Sequence, residues 1–325
     1  MRVYEDMRDY VQARTTLAAK WILSMRAFVI FLGLIVVALA AIGLLTYPAW
    51  LLLHPHFNFP FHRIGERIAM LIGLVGFIIL APRMRLGDRV SLGYGLPRRQ
   101  FLREWLVGLA VGVVTMLAIV AAMSALGLRD WHKLATLDGA KIAKLIGGAL
   151  GSGVAVALIE ETALRGIIFT GIQRESGTRA AILLTALIYS ATHFFAKHHI
   201  DAAQVTSSSG WDLLAGTLHS FADPIGIADA FLTYFAVGVI LAAIRSRTGH
   251  IASCMGLHAG WVWVMLSVTG VSEPVRDRSL SFLLSQTDGF VGWLVFAWTL
   301  VIGVPLVRYF YDRRASVTVT PPRSA

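Results

Sequence analysis

From Ala27 to Leu45 the chain runs through apolar and small side chains without one charge. Wound as a helix, such a run spans most of a bilayer's ~30 Å hydrocarbon core. Few structures are open to it, because in hydrocarbon every backbone polar group must bond within its own segment. Seven further predominantly apolar runs follow, at about Ile68–Ala81, Trp105–Leu128, Leu145–Ile172, Ala180–Phe195, Ile225–Ile244, Ile251–Val271 and Phe290–Val307. With 56% hydrophobic and 15% charged residues, the composition is one that a soluble domain of 325 residues does not need. The expected fold is all-α, a polytopic membrane bundle of about eight transmembrane helices spanning residues 20–310. A charged segment, residues 1–19, precedes it, and a disordered tail, residues 311–325, follows.

The 29 Lys and Arg against 19 Asp and Glu give a net charge of +10. These positive charges lie between the apolar runs, so the partner they imply is an anionic lipid surface and not nucleic acid. The densest basic loop, from Arg83 to Arg103, the Arg174–Arg179 loop, the Arg245 and Arg247 pair and Arg308, Arg313 and Arg314 share one side if both termini are cytoplasmic. The expected orientation is therefore N-in and C-in. Pro48–Pro60, rich in aromatics, His and Pro, reads as an interfacial segment. Lys197–Pro224 reads as a long loop with an amphipathic turn at Trp211–Phe221. The single Cys254 excludes an internal disulfide framework and a cysteine-based metal cluster. The pattern sets no oligomeric state.

Inside the fourth run, VALIEETALRGIIFTGI, stand Glu160, Glu161 and Arg165. A charge at bilayer depth costs at least ~2.5 to 3.5 kcal/mol, so it marks a function or has a partner. Glu161 and Arg165 are spaced i,i+4 with the acid first, the favourable orientation for a pair. Glu160 is rotated about 100° away and is left for other work. The entry to this run carries Gly147 and Gly151 in GxxxG spacing, which invites close approach by another backbone.

Measured from the expected cytoplasmic ends, Glu160, His193 and His258 lie roughly 18, 21 and 14 Å deep at 1.5 Å per residue. A lone His on an apolar helix is most often a hydrogen-bonded packing residue. Two at matching depth beside an unpaired Glu point instead to activation of water, with Glu as general base and His residues orienting the water and stabilising an oxyanion.

Glu160-Glu161-TAL-Arg165, Tyr189-SAT-His193 and His258-AGW-Val262 resemble, in order and spacing, the EExxxR, aromatic-xxx-His and HxxxN motifs of the CAAX prenyl protease and bacteriocin-processing (CPBP) family. The resemblance covers about residues 98–270. It implies an eight-helix intramembrane endopeptidase, a hydrolase of peptide or membrane-protein substrates, multi-pass in a bacterial inner membrane. It assigns the acid/base role to Glu160, water orientation to His193 and oxyanion stabilisation to His258, with Glu161 and Arg165 in support. Two positions depart from the pattern: Tyr189 stands for the usual Phe, and Val262 for the polar Asn. Val262 cannot donate to an oxyanion, and the only Asn of the chain, Asn58, lies in another segment.

The cofactor expectation is none. The alternative is zinc on Glu160, His193 and His258, a His₂Glu set with an open position. Against zinc stand the lack of an HExxH helix and of any evident carboxylate behind either His. Cys254, i−4 from His258, reads as a small packing residue. Two other functions compete with proteolysis. One is a catalytically silent membrane-protein binder, such as a self-immunity factor, favoured by Val262. The other is a proton-coupled carrier using the buried Glu and His residues as a relay.

Overall fold

The structure, a computed structural model, describes residues 25–57, 59–195, 199–286 and 288–318. The N-terminal segment 1–19, Asn58 and residues 319–325 of the expected tail lie outside the described residues. The α-helices are α1 (Arg26–Leu53), α2 (Phe61–Arg83), α3 (Arg98–Ala125), a short α4 (His132–Ala135), α5 (Gly139–Glu160), α6 (Phe169–Thr192), α7 (Ser209–Leu218), α8 (Ala228–Thr248), α9 (Ala252–Val271) and α10 (Trp293–Thr318). A π-helical stretch, Glu161–Ile168, joins α5 to α6. Two strands of two residues each, Arg129–Asp130 and Glu273–Pro274, pair antiparallel.

Among the described residues, seven helical runs are long and apolar enough to cross a membrane. One of them, Gly139–Thr192, is 54 residues long and breaks at Gly177, where φ is 84°. That positive φ is strained for any residue with a Cβ. The run turns back there: the Arg165 guanidinium lies 4.7 Å from the centre of the Tyr189 ring, whereas a straight helix would part the two residues by roughly 36 Å. It therefore folds back on itself as two helical arms. The chain is a multi-pass membrane protein.

Several boundaries move from their sequence expectation. α1 continues through Pro48 to Leu53, taking in the first part of the expected interfacial segment. A helix of this length tolerates one Pro in its interior when neighbours satisfy the freed carbonyl. α10 runs to Thr318, eight residues into the expected tail.

The core is centred on α9, whose residues Ala252–Trp261 are buried without interruption. Its small residues permit this. A Cβ on Gly108 or Gly112 of α3 would stand 2.5 Å from the carbonyl oxygen of Ser253 or Leu257, and one on Gly260 would stand 2.6 Å from that of Leu109. Gly256 meets the Trp105 carbonyl in the same way. Two GxxxG pairs, Gly108/Gly112 and Gly256/Gly260, thus lock α3 against the helix that bears His258. The pair expected to do this, Gly147 and Gly151, has no heavy atom within 4 Å of its Cβ positions; on α5 it is Gly153 that packs on α9, at the Ala259 carbonyl.

The basic stretch between α2 and α3 is a packed brace, not an open loop. Asp88 accepts from the amides of Val90 and Ser91 at 3.0 and 2.9 Å and from the Ser91 hydroxyl. These bonds hold its carboxyl below the ordinary carboxylate range. The turn so formed is held to α6: the Ser91 carbonyl accepts from Thr170 Oγ1 at 2.8 Å, and Arg174 reaches the Arg85 carbonyl at 2.7 Å. Tyr94 bonds Thr162 Oγ1 at 2.6 Å, and burial pushes its phenol above the ordinary range. Arg245, expected at the lipid surface, is instead buried, donating to the Arg165 carbonyl at 3.1 Å.

Candidate active site

The acidic motif sits where α5 passes into the π-helical turn. π turns are rare and concentrate at functional sites, because the wider i→i+5 pattern re-aims side chains. Glu160 is the last α-helical residue and Glu161 the first of the π stretch. Glu161 and Arg165 are both fully buried and paired at 3.1 Å, as their spacing predicted. Arg165 also donates to the Gly238 carbonyl at 3.4 Å.

Glu161 has a second role that its spacing concealed. Its Oε1 lies 2.9 Å from His258 Nδ1. A carboxylate there accepts the Nδ1 proton, fixes the tautomer and turns Nε2 away from itself. The carboxylate behind a His that the sequence did not reveal is therefore present. His258 Nε2 faces Glu160 Oε2 at 4.0 Å. Glu160 Oε2 is buried and accepts no hydrogen bond from a described residue, while the side chain as a whole is 32% exposed. Arg165 is thus taken by Glu161 and not by Glu160.

His193 caps α6 and donates from Nδ1 to the Tyr189 carbonyl at 2.7 Å, since a carbonyl can only accept. Its ring is held between two aromatic rings, Tyr189 at 4.4 Å and Tyr234 at 4.1 Å with 27° between the planes of the latter pair. Tyr189 also stands edge-on to His258, 5.9 Å between centres. Tyr234 passed unnoticed in the sequence, where an aromatic within an apolar run carries no signal. Its hydroxyl donates to Asp288 Oδ2 at 3.1 Å, and Asp288 Oδ1 accepts from the amides of Phe290 and Val291 at 2.9 Å each.

His193, His258, Tyr189, Tyr234 and Val262 line one cavity of about 440 Å³. Val262, one turn beyond His258, contributes only methyl groups to it. Glu160 lines a separate groove of about 620 Å³ between the α1–α2 hairpin and the motif helix, roofed by Leu213 and Thr217 of α7. Glu160 Oε2 and His258 Nε2, 4.0 Å apart, bring the two spaces together at this point. Cys254 is buried, donating from Sγ to the Leu241 carbonyl at 3.3 Å. Among the described residues, no three of His, Cys, Asp and Glu gather closely enough to hold a metal ion. His258 and His193 each bond through Nδ1, to Glu161 and to the Tyr189 carbonyl, which leaves Nε2 of each ring for other contacts.

Residues 142–264 match a family model described as type II CAAX prenyl endopeptidase Rce1-like. The matched stretch holds all three motifs and begins within α5, so α3 lies outside it. No curated protein and no solved structure matches the chain.

Proposed function

We propose, from the match of residues 142–264 to the type II CAAX prenyl endopeptidase Rce1-like family model, that the chain is an intramembrane endopeptidase that hydrolyses peptide bonds of membrane-associated substrates through a Glu- and His-activated water. The observation that carries this reading is the buried, unbonded Glu160 Oε2 facing His258 Nε2 at 4.0 Å. Two polar atoms at that spacing suit a water hydrogen-bonded to both. Glu160 takes a proton from this water, and the hydroxide oxygen bonds to the scissile carbonyl carbon. The carbonyl electron pair moves onto oxygen, which the His258 ring, held at Nδ1 by Glu161, stabilises. Glu160 then passes its proton to the leaving nitrogen as the carbon–nitrogen bond breaks, giving an acid and an amine. His193, fixed at Nδ1, presents Nε2 to the cavity and orients the water. Glu161 and Arg165 support the site. The membrane is a bacterial inner membrane with both termini cytoplasmic.

A second reading, a catalytically silent membrane-protein binder, draws on one observation: Val262 presents methyl groups to the cavity where a donor would serve the oxyanion. A fluorogenic peptide ending in a prenylated CAAX sequence, offered to purified protein in detergent, separates the two. Cleavage by wild type and its loss in Glu160→Gln are expected, and cleavage is expected to persist after dialysis against a strong chelator. Binding of the peptide with no cleavage by wild type supports the silent reading. Activity lost with a chelated ion and restored with it overturns the metal-free mechanism.

A further inference from the structure

α8 and α10 leave between them a groove of about 660 Å³. It faces lipid, for Leu300 and Val304 on its rim are 57% and 61% exposed. Its floor is a close contact between Gly303 of α10 and Ile240 of α8, where a Cβ would stand 3.1 Å from the Ile240 side chain. Two lining residues are charged, Arg247 and Arg308, and both stand at one end. From Leu232 to Arg247 and from Phe296 to Arg308 the groove follows the helices for roughly 22 and 18 Å, more than one leaflet of a ~30 Å core.

Arginines at helix ends commonly reach for the interface with no preferred lipid. This pair differs in belonging to two helices and lining the same end of one apolar groove. Arg247 is also held there, its guanidinium 5.6 Å from the centre of the Tyr311 ring. We propose that the groove binds one anionic phospholipid, with the phosphate between Arg247 and Arg308 and an acyl chain lying along Gly303. A guanidinium pair matches phosphate oxygens with charge-assisted, planar hydrogen bonds. The groove supplies what a basic surface alone lacks, a shaped apolar wall for the chain. The site is independent of the proposed catalytic activity.

The test is native mass spectrometry of the full chain, released from detergent containing equimolar phosphatidylglycerol and phosphatidylcholine. One phosphatidylglycerol per chain is expected to be retained in preference. Arg247→Gln with Arg308→Gln should lower that retention by about tenfold or more. Val304→Trp, which fills the groove from an exposed position and keeps both arginines, should lower it as well. Arg98→Gln with Arg99→Gln, an exposed basic pair at the start of α3, should leave it unchanged. Equal retention of the two lipids, equal loss in the Arg98 and Arg99 variant, or displacement by inorganic phosphate alone overturns the site.

Discussion

Glu161 Oε1 lies 3.1 Å from Arg165 Nη1 and 2.9 Å from His258 Nδ1. One oxygen of a fully buried carboxylate thus serves both the ion pair that closes the π-helical turn and the ring that faces Glu160. The two adjacent acids of the motif divide into a holding group and a group free to act. Their environments are opposite although they are neighbours in sequence.

This division gives the first prediction. Glu160→Gln should abolish cleavage and leave the melting temperature close to wild type, because shape is kept and no hydrogen bond from a described residue is lost. Glu161→Gln leaves Arg165 as an uncompensated buried charge and should cost ~3 to 5 kcal/mol of stability. Thermal unfolding followed by tryptophan fluorescence, beside the cleavage assay, distinguishes them. A folded, active Glu160→Gln protein would falsify the base assignment.

Tyr234 should position His193 through its ring, with Asp288 as the anchor of its hydroxyl. Tyr234→Phe keeps the ring and loses the anchor; Tyr234→Leu loses both. We expect kcat to fall about tenfold in the first and about 10²-fold in the second, the scale of a small misplacement of a reacting group. KM should stay within about twofold. Asp288→Asn should match Tyr234→Phe, and the double variant should add nothing further. Equal kcat in the Phe and Leu variants removes the positioning role.

Val262 lines the cavity one turn beyond His258. Supplying a donor there should raise turnover, since a single lost oxyanion donor costs about 10² to 10³ in proteases. Val262→Asn is expected to gain about tenfold or more and to remain dependent on Glu160 and His193. A silent Val262→Asn protein with lowered melting would instead indicate a buried amide without a partner, in line with the binding reading.

The brace between α2 and α3 predicts a response to pH. The Asp88 carboxyl lies below its ordinary value of 3.8 in the folded chain, held there first by the Ser91 hydroxyl. A depressed carboxylate contributes stability above its unfolded pKa and loses it as pH falls through the folded value. Neutral pH should therefore leave the brace closed, and only acid below about pH 4 should open it. Hydrogen exchange at the Val90 and Ser91 amides should rise there in wild type, and already at neutral pH in Asp88→Ala. Protection unchanged by Asp88→Ala would show that Thr170 and Arg174 hold the turn without it.

Apolar run length and the i,i+4 spacing of Glu161 and Arg165 are local properties, and they sufficed for the all-α membrane class and the ion pair. The motif residues Glu160, His193 and His258 could be named because charge and imidazole are conspicuous in hydrocarbon, where each one needs a reason. Spacing could not say which GxxxG pairs meet a partner, because that depends on what lies opposite: Gly147 and Gly151 meet nothing, while Gly108, Gly112, Gly256 and Gly260 hold two backbones together. Nor could it show that Glu161 reaches His258, 97 residues on, or that Tyr234 and Asp288 brace His193. Those contacts join separate helices, and a one-residue rotation of any of them would move the side chain to another face. The sequence by itself determined which segments are apolar enough to cross a membrane and which charged groups they carry. Only tertiary packing decided which of those groups meet, because contact across helices depends on their rotation and depth, which no single segment encodes.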